Sequence, residues 1–190
     1  MGAARSRLEI AADNLANAST DGFRRHAAVG VFSSSGVRIE RNESTEQGAL
    51  HRTGRSFDLA LIGEGAFSVR DRRGVVSQTR NGSYTRDRWE HLKDDAGRLL
   101  LGARGPIRVP EGASVATDGS IRKDAQVVDR IGLPAGTSLR SGFIETANVN
   151  AISEMIDVLA AQRSFESAQK VLSAIDGTRQ KTSDELARLK

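Results

Sequence analysis

The chain has no cysteine. That excludes a disulfide scaffold, a thiol nucleophile and a thiolate-bound metal, and leaves the redox compartment open. Proline is rare, 3 residues against 19 glycines, so turns must rest on glycine, asparagine and aspartate. Aromatics are few, with Phe 6, Tyr 1 and Trp 1, and hydrophobic residues make up only 38%. A modest core is possible; a large buried catalytic cavity is not expected. No apolar run approaches the roughly 20 residues that a membrane span needs. The opening MGAARSRLEIAADNLANAS lacks the apolar segment of a secretory signal peptide. Net charge is +4, but acids are interleaved with the basic residues along the chain. A nucleic-acid binder more often concentrates its basic residues on one face, so no nucleic-acid partner is expected.

What is present falls into three parts. Residues 5–18 read as a helix, with Leu8, Ala11, Leu15 and Ala18 on one narrow seam that suits helix-on-helix packing. Asn14 and Asn17 are then expected to face away from that seam. Asp21-Gly22 can end the helix, with Gly22 in the left-handed conformation and Phe23 folding back on it. Residues 28–50 are weakly patterned and read as an extended connector, or a loop with one strand. Residues 56–140 alternate short apolar runs with turn signals at spacings near ten residues, the mark of a hairpin-rich β-structure. Asn81-Gly82 and Asp118-Gly119 are the best candidates for type I′ hairpins. Residues 151–176 give the strongest helical pattern. Val158, Ala161, Phe165, Ala168, Leu172 and Ile175 form a seam that Ile152, Ile156 and Leu159 extend, opposite a polar face of Glu154, Arg163, Glu166 and Lys170. Gly177 is a weak point, after which TSDELARLK resumes a helix with Thr182 or Ser183 as N-cap and Leu186 and Leu189 apolar.

The expected fold class is therefore α+β: N- and C-terminal helices pairing as a coiled coil, with a β-rich central domain of short antiparallel strands. Its parts are the N-terminal helix (1–27), a connector (28–55), the β-rich outer domain (56–140) and the C-terminal helix (141–190). Short terminal helices are marginal alone in water and need partners: each other, and the same pair in a neighbouring molecule.

No catalytic constellation emerges. His26, His51 and His91 stand at no zinc-ligand spacing. Ser83 in RNGSY lacks the nucleophile elbow. Gly63-Glu64-Gly65 opens no helix and lacks the third glycine of a dinucleotide loop. Asp94-Asp95 is explained by turn chemistry. No enzyme activity, cofactor or metal is expected, although the residues alone leave open a secreted β-rich binding module or a hydrolase with an unrecognised site.

NLANASTDGFRR (14–25) resembles the N-terminal signature of the flagellar basal-body rod and hook protein family. FDLALIGEGAFSV (57–69), TRNGSY (79–84) and DDAGRLL (94–100) resemble the opening of its β-domain. SGFIETANVNAISEMIDVLAAQRSFESAQKVL (141–172) resembles its C-terminal signature. Within the family, GPIRVPEGASVATDGSI (105–121) is more similar to proximal than to distal rod members. The resemblance implies a non-enzymatic structural subunit that polymerises head-to-tail into a hollow drive shaft for motility. Its terminal helices would form an inner coiled coil. It would be exported across the inner membrane by the flagellar type III apparatus without a cleaved signal peptide, and would stand within the periplasm. Implied partners are further copies, other rod and hook subunits, the export apparatus and ring proteins. Its interface residues would be Leu8, Asn14, Leu15, Asn17, Gly22, Phe23, Asn148, Asn150, Ile152, Ile156, Leu159, Gln162, Arg163, Phe165 and Leu172. Two departures stand out. Only MGAARSR precedes LEIAADNLAN, where the family carries more helix. RIGL (130–133) also leads almost directly into the C-terminal signature, so a reduced outer domain is expected.

Overall fold

Helix formers dominate both ends of the chain, and turn residues punctuate its middle every few positions. The computed structural model, which describes residues 2–33 and 36–188, converts this into an α+β fold with a helix near either end and a β-rich centre of short antiparallel strands. The chain divides into two units, one of residues 1–16, 26–44 and 150–190, the other of residues 17–25 and 45–149.

The first unit holds α1 (Gly2–Ala16), β1 (His26–Ser33), β2 (Gly36–Glu43) and α2 (Ala151–Arg188). Strands β1 and β2 form an antiparallel hairpin in unbroken register from His26↔Glu43 to Ser33↔Gly36. The stretch read as a connector thus contains a full hairpin. Its second strand carries charges on both faces, so the apolar alternation that signals a strand is missing. A lone two-stranded ribbon is marginal in water; here α1 packs on both of its strands as well as on α2.

Helix α2 runs through Gly177 without a break. Gly177 lies in open space, and a single interior glycine lowers helix stability by only about 1 kcal/mol. The expected second start at Thr182 or Ser183 is therefore absent, because the backbone is already helical there. The side chains of Thr182, Ser183 and Leu186, and Leu189 altogether, lie outside the described residues.

The second unit holds β3 (Leu50–Arg52), β4 (Leu59–Ile62), β5 (Phe67–Arg70), β6 (Val76–Thr79), β7 (Thr85–Arg86), β8 (Leu92–Lys93), β9 (Leu99–Gly102), β10 (Gly105–Pro106), β11 (Ser114–Val115), β12 (Ser120–Lys123), β13 (Gln126–Arg130), β14 (Ser138–Ser141) and β15 (Phe143–Glu145). Five strands run in the order β6-β5-β9-β8-β7, with β10 also paired to β9. A second sheet is β11-β12-β13, and β14 pairs with β4 and β15 with β3. The core is continuous, built from Leu59, Leu61, Phe67, Val69, Tyr84, Leu92, Leu100, Ile107, Val109, Ile121, Ile131 and Leu139. In β5 the alternation is clean, Phe67 and Val69 inward. Residues 143–145, placed by sequence in the C-terminal helical segment, form a strand against β3.

The two expected hairpins fare differently. Asp118-Gly119 does turn β11 into β12, but only Gly119 has positive φ, so the turn is not type I′. Asn81-Gly82 is not a hairpin, because β6 and β7 lie at opposite edges of their sheet. Gly82 instead permits close backbone approach: its N-terminal partner strand begins at Leu59, whose N–H donates to the Gly82 carbonyl at 2.9 Å. A two-residue turn with both residues at positive φ stands instead at Asp124-Ala125, joining β12 to β13.

Candidate assembly surface

The first half of α2 is amphipathic in two directions. Its covered face is Glu154, Val158, Ala161, Phe165 and Ala168, of which Glu154 and Ala161 are buried and the others half-buried. These recur at the alternating four and three spacing that keeps one face of a helix. The covering element is α1, through its buried Ile10, Ala11 and Asn14. Asn14, near the end of α1, meets Glu154, in the first turns of α2. The two helices therefore run antiparallel.

Asn14 is the polar centre of this contact and is fully buried. Its side-chain Nδ2 donates to the His26 carbonyl at 2.8 Å and to Glu154 Oε2 at 3.0 Å. Its Oδ1 accepts from the His26 N–H at 2.8 Å. Both donor hydrogens and the acceptor are used. One side chain thus joins the end of α1, the start of β1 and the start of α2. Asn14 and Glu154 were both expected on outward faces, and both lie inside. The reason is that Ile10 and Asn14, with Ala11, share the packed face, while Leu8 and Leu15 are only half-buried. Removing one partner would strand a buried polar group, a penalty of about 1–3 kcal/mol. Beside the contact, Asp13 Oδ2 pairs with Arg41 Nη1 at 2.9 Å.

The other asparagines of the expected surface make hydrogen bonds within the chain. Asn150 is the N-cap of α2, its Oδ1 accepting from the N–H groups of Ile152 at 3.0 Å and Ser153 at 3.1 Å, the pattern that satisfies orphan amide donors at a helix start. Asn148 accepts from the Arg25 N–H at 2.6 Å and donates to the Glu46 carbonyl at 2.8 Å. Asn17 makes a turn: its carbonyl accepts from the Thr20 N–H at 2.9 Å, and its Oδ1 from the Thr20 hydroxyl at 3.3 Å.

Gly22 has φ +67°, as its left-handed role required, and donates to the Glu145 carbonyl at 2.7 Å. A Cβ there would sit 2.2 Å from the Asn81 nitrogen, so the backbone of the 17–25 segment lies directly on that of residues 80–81. Phe23, half-buried, accepts at its carbonyl from the Asn148 N–H at 3.3 Å. Beneath this crossing, Arg80 Nε lies 3.0 Å from Glu145 Oε2, both side chains 2% exposed. Arg80 Nη1 donates to the carbonyls of Gly63 and Gly65. Burial lowers the Arg80 guanidinium from its ordinary range, an effect that Glu145 opposes and the neighbouring Arg24 adds to.

The opposite side of α2 is open. Ile152, Met155, Ile156 and Leu159 are 73%, 52%, 61% and 55% exposed. Their i, i+3, i+4, i+7 spacing makes one stripe, turned away from the covered face. Ile152, Ile156 and Leu159 therefore do not extend the seam, as the spacing suggested, but form a separate one that Met155 completes. Leu172 and Ile175 continue the covered face beyond Ala168 and are 44% exposed each. Gln162 donates to Glu166 along the helix at 3.3 Å, and Arg163 is exposed. Among the described residues no group of three or more His, Asp or Glu could hold a metal ion, and no helix is long and apolar enough to cross a membrane.

Two family models match the ends of the chain: one described as flagella basal body rod protein over residues 1–24, the other as flagellar basal body rod FlgEFG protein C-terminal over residues 140–185. The flagellar basal-body rod protein FlgF of Escherichia coli (strain K12) is 31% identical over 231 residues, covering 93% of this chain and 92% of that protein. FlgF of Mesorhizobium japonicum is 31% identical over 213 residues, covering 87% and 86%. The flagellar hook protein FlgE of Brucella abortus is 33% identical over 147 residues, covering 72% of this chain but 37% of that protein. The alignment to the Escherichia coli protein is longer than the 190-residue chain, so that relative carries segments absent here. With Asn14, Gly22 and the start of α2 inside the matched regions, the chain belongs to the flagellar basal-body rod protein family.

Proposed function

We propose that the chain is a structural, non-enzymatic subunit of the bacterial flagellar basal-body rod, in its proximal part, polymerising head-to-tail into the hollow shaft that transmits rotation. The observation that carries this reading is the unpartnered stripe of Ile152, Met155, Ile156 and Leu159. Four large apolar side chains on one face of a helix, opposite a face already covered, call for a second helical partner. A patch that meets a different surface of the next copy gives a heterologous contact, and such contacts build open helical tubes. On this reading α1 and α2 supply an inner coiled coil. Other rod and hook subunits follow at its ends. The subunit reaches its place through the flagellar export apparatus and stands in the periplasm, where ring proteins surround it.

The test is Leu159→Asp. Leu159 is 55% exposed in the single chain, so the variant should fold with an unchanged thermal transition. It should fail to enter rods when expressed in place of the native subunit, and cells should lose motility. Normal incorporation of a stably expressed Leu159→Asp chain would remove the stripe from the interface.

A further inference from the structure

We infer that the Asn14–Glu154 pair sets the register of α1 on α2. Apart from it the packed face of α2 is apolar and repeats every seven residues. Val158 and Phe165 are seven apart, as are Ala161 and Ala168, and Glu154 stands seven before Ala161. Sliding α1 by seven residues toward the C-terminus of α2 would exchange Val158 for Phe165 and Ala161 for Ala168, one apolar partner for another. On α1 the facing side chains include Ile10 and Ala11, equally indifferent to such a slip. Helix α2 is long enough to receive it, and its face continues apolar through Leu172 and Ile175.

Along the packed face, the polar pair distinguishes the two arrangements. In the observed register the Asn14 amide meets the Glu154 carboxylate at 3.0 Å, with Glu154 1% exposed. In the slipped register Asn14 would face Ala161 and leave one donor unmet in an apolar seam. A single buried polar contact fixing the register of paired helices is the best attested role for such groups. Asn14 also holds both backbone polar groups of His26, so the same side chain ties the hairpin to the chosen register.

Engineered disulfides test this in the full chain, which has no cysteine of its own. With Asn14 opposite Glu154 in an antiparallel pair, position 7 comes opposite Ala161; a slip of seven brings it opposite Ala168. In the native background Arg7→Cys with Ala161→Cys should close a disulfide under mild oxidation, and Arg7→Cys with Ala168→Cys should not. In the background Asn14→Leu plus Glu154→Leu both pairs should close, with comparable yields. If the helices keep the single 7–161 cross-link in that background, or if 7–168 closes in the native one, the inference is overturned. Should circular dichroism show that the double leucine chain does not fold, Glu154→Ala carries the same comparison. It keeps the His26 bonds of Asn14 and removes the Asn14 contact to α2.

Discussion

The sharpest consequence of the fold concerns Gly22. Two separate demands meet at this residue. Its φ of +67° lies in the left-handed region, where a side chain costs about 1–2 kcal/mol. Its missing Cβ is also occupied space: the position falls 2.2 Å from the Asn81 nitrogen, 2.4 Å from the Arg80 carbonyl carbon and 2.6 Å from the Asn81 Cα. These are backbone atoms and cannot rotate away. Gly22→Ala must push the 17–25 segment off residues 80–81 and stretch the 2.7 Å bond from the Gly22 N–H to Glu145, the loss of which adds about 1 kcal/mol. The sum is at least about 2–3 kcal/mol before steric displacement is counted. Gly54 is the internal control. It has φ +76° with nothing within 4 Å of its Cβ position, so Gly54→Ala should show the conformational penalty alone, about 1–2 kcal/mol. Urea unfolding followed by fluorescence of Trp89 and by far-ultraviolet circular dichroism would give both values on the same transition. Equal destabilisation by the two alanines would refute the close approach.

Two further outcomes follow from local geometry. Ala125 stands at φ 64° in the Asp124-Ala125 turn, where glycine carries no Cβ penalty, so Ala125→Gly should stabilise the chain by roughly 0.5–1 kcal/mol; a loss of stability in thermal melts would show that the turn is held by something other than its dihedral angles. Asp118 is held below its ordinary value of 3.8 chiefly by the hydrogen bonds from Ser120, with Arg122 and Arg130 adding attraction. A lowered folded pKa means that its contribution is complete above the unfolded value and lost as pH falls through the folded one. Asp118→Asn should therefore flatten the acid side of the stability profile below about pH 4 and leave its slope above pH 5 unchanged, and an identical acid limb in both chains would contradict the assignment.

The elements whose signals are local were legible in the sequence. The left-handed Gly22 follows from Asp21-Gly22, although α1 already ends at Ala16 and Gly22 belongs to the following Thr20–Phe23 turn; the turn at residues 94–97 follows from its aspartate: Asp94 accepts the Arg98 N–H at 2.8 Å and pairs with Arg98 Nε at 2.7 Å. The β-rich middle showed in its turn spacing. What stayed hidden depends on distant partners. Asn81-Gly82 has the composition of a type I′ turn, yet Gly82 is needed because the Leu59 backbone passes there. The β1–β2 hairpin was obscured because Arg38, Glu40 and Arg41 occupy a strand whose regularity rests on its pairing. Glu154 read as outward because a carboxylate is rarely buried unless paired. Its partner lies 140 residues away, and nothing in the period of α2 announces it. On one helix, two apolar stripes and a polar residue at the packed face cannot be sorted by spacing alone.

The distribution of apolar burial separates two kinds of stability in one chain. Among the described residues, nearly all the buried large apolar side chains belong to the β-rich unit; the helical unit buries Ile10 with Ala11 and Ala161, and little else of this type. The same unit leaves Phe32 85% exposed, along with Ile152, Met155, Ile156, Leu159, Val171, Leu172 and Ile175. At about 25 cal/mol for each Å² of apolar surface removed from water, such side chains represent stabilisation that the isolated chain does not realise. A helix pair with two alanines and an isoleucine at its centre is also weak by its own packing, since alanine contributes little buried area. Such a unit gains most from neighbours that cover these side chains. A polar pair at the seam suits this balance. It adds little net stability, but it decides which weak arrangement of the helices is presented to the next copy.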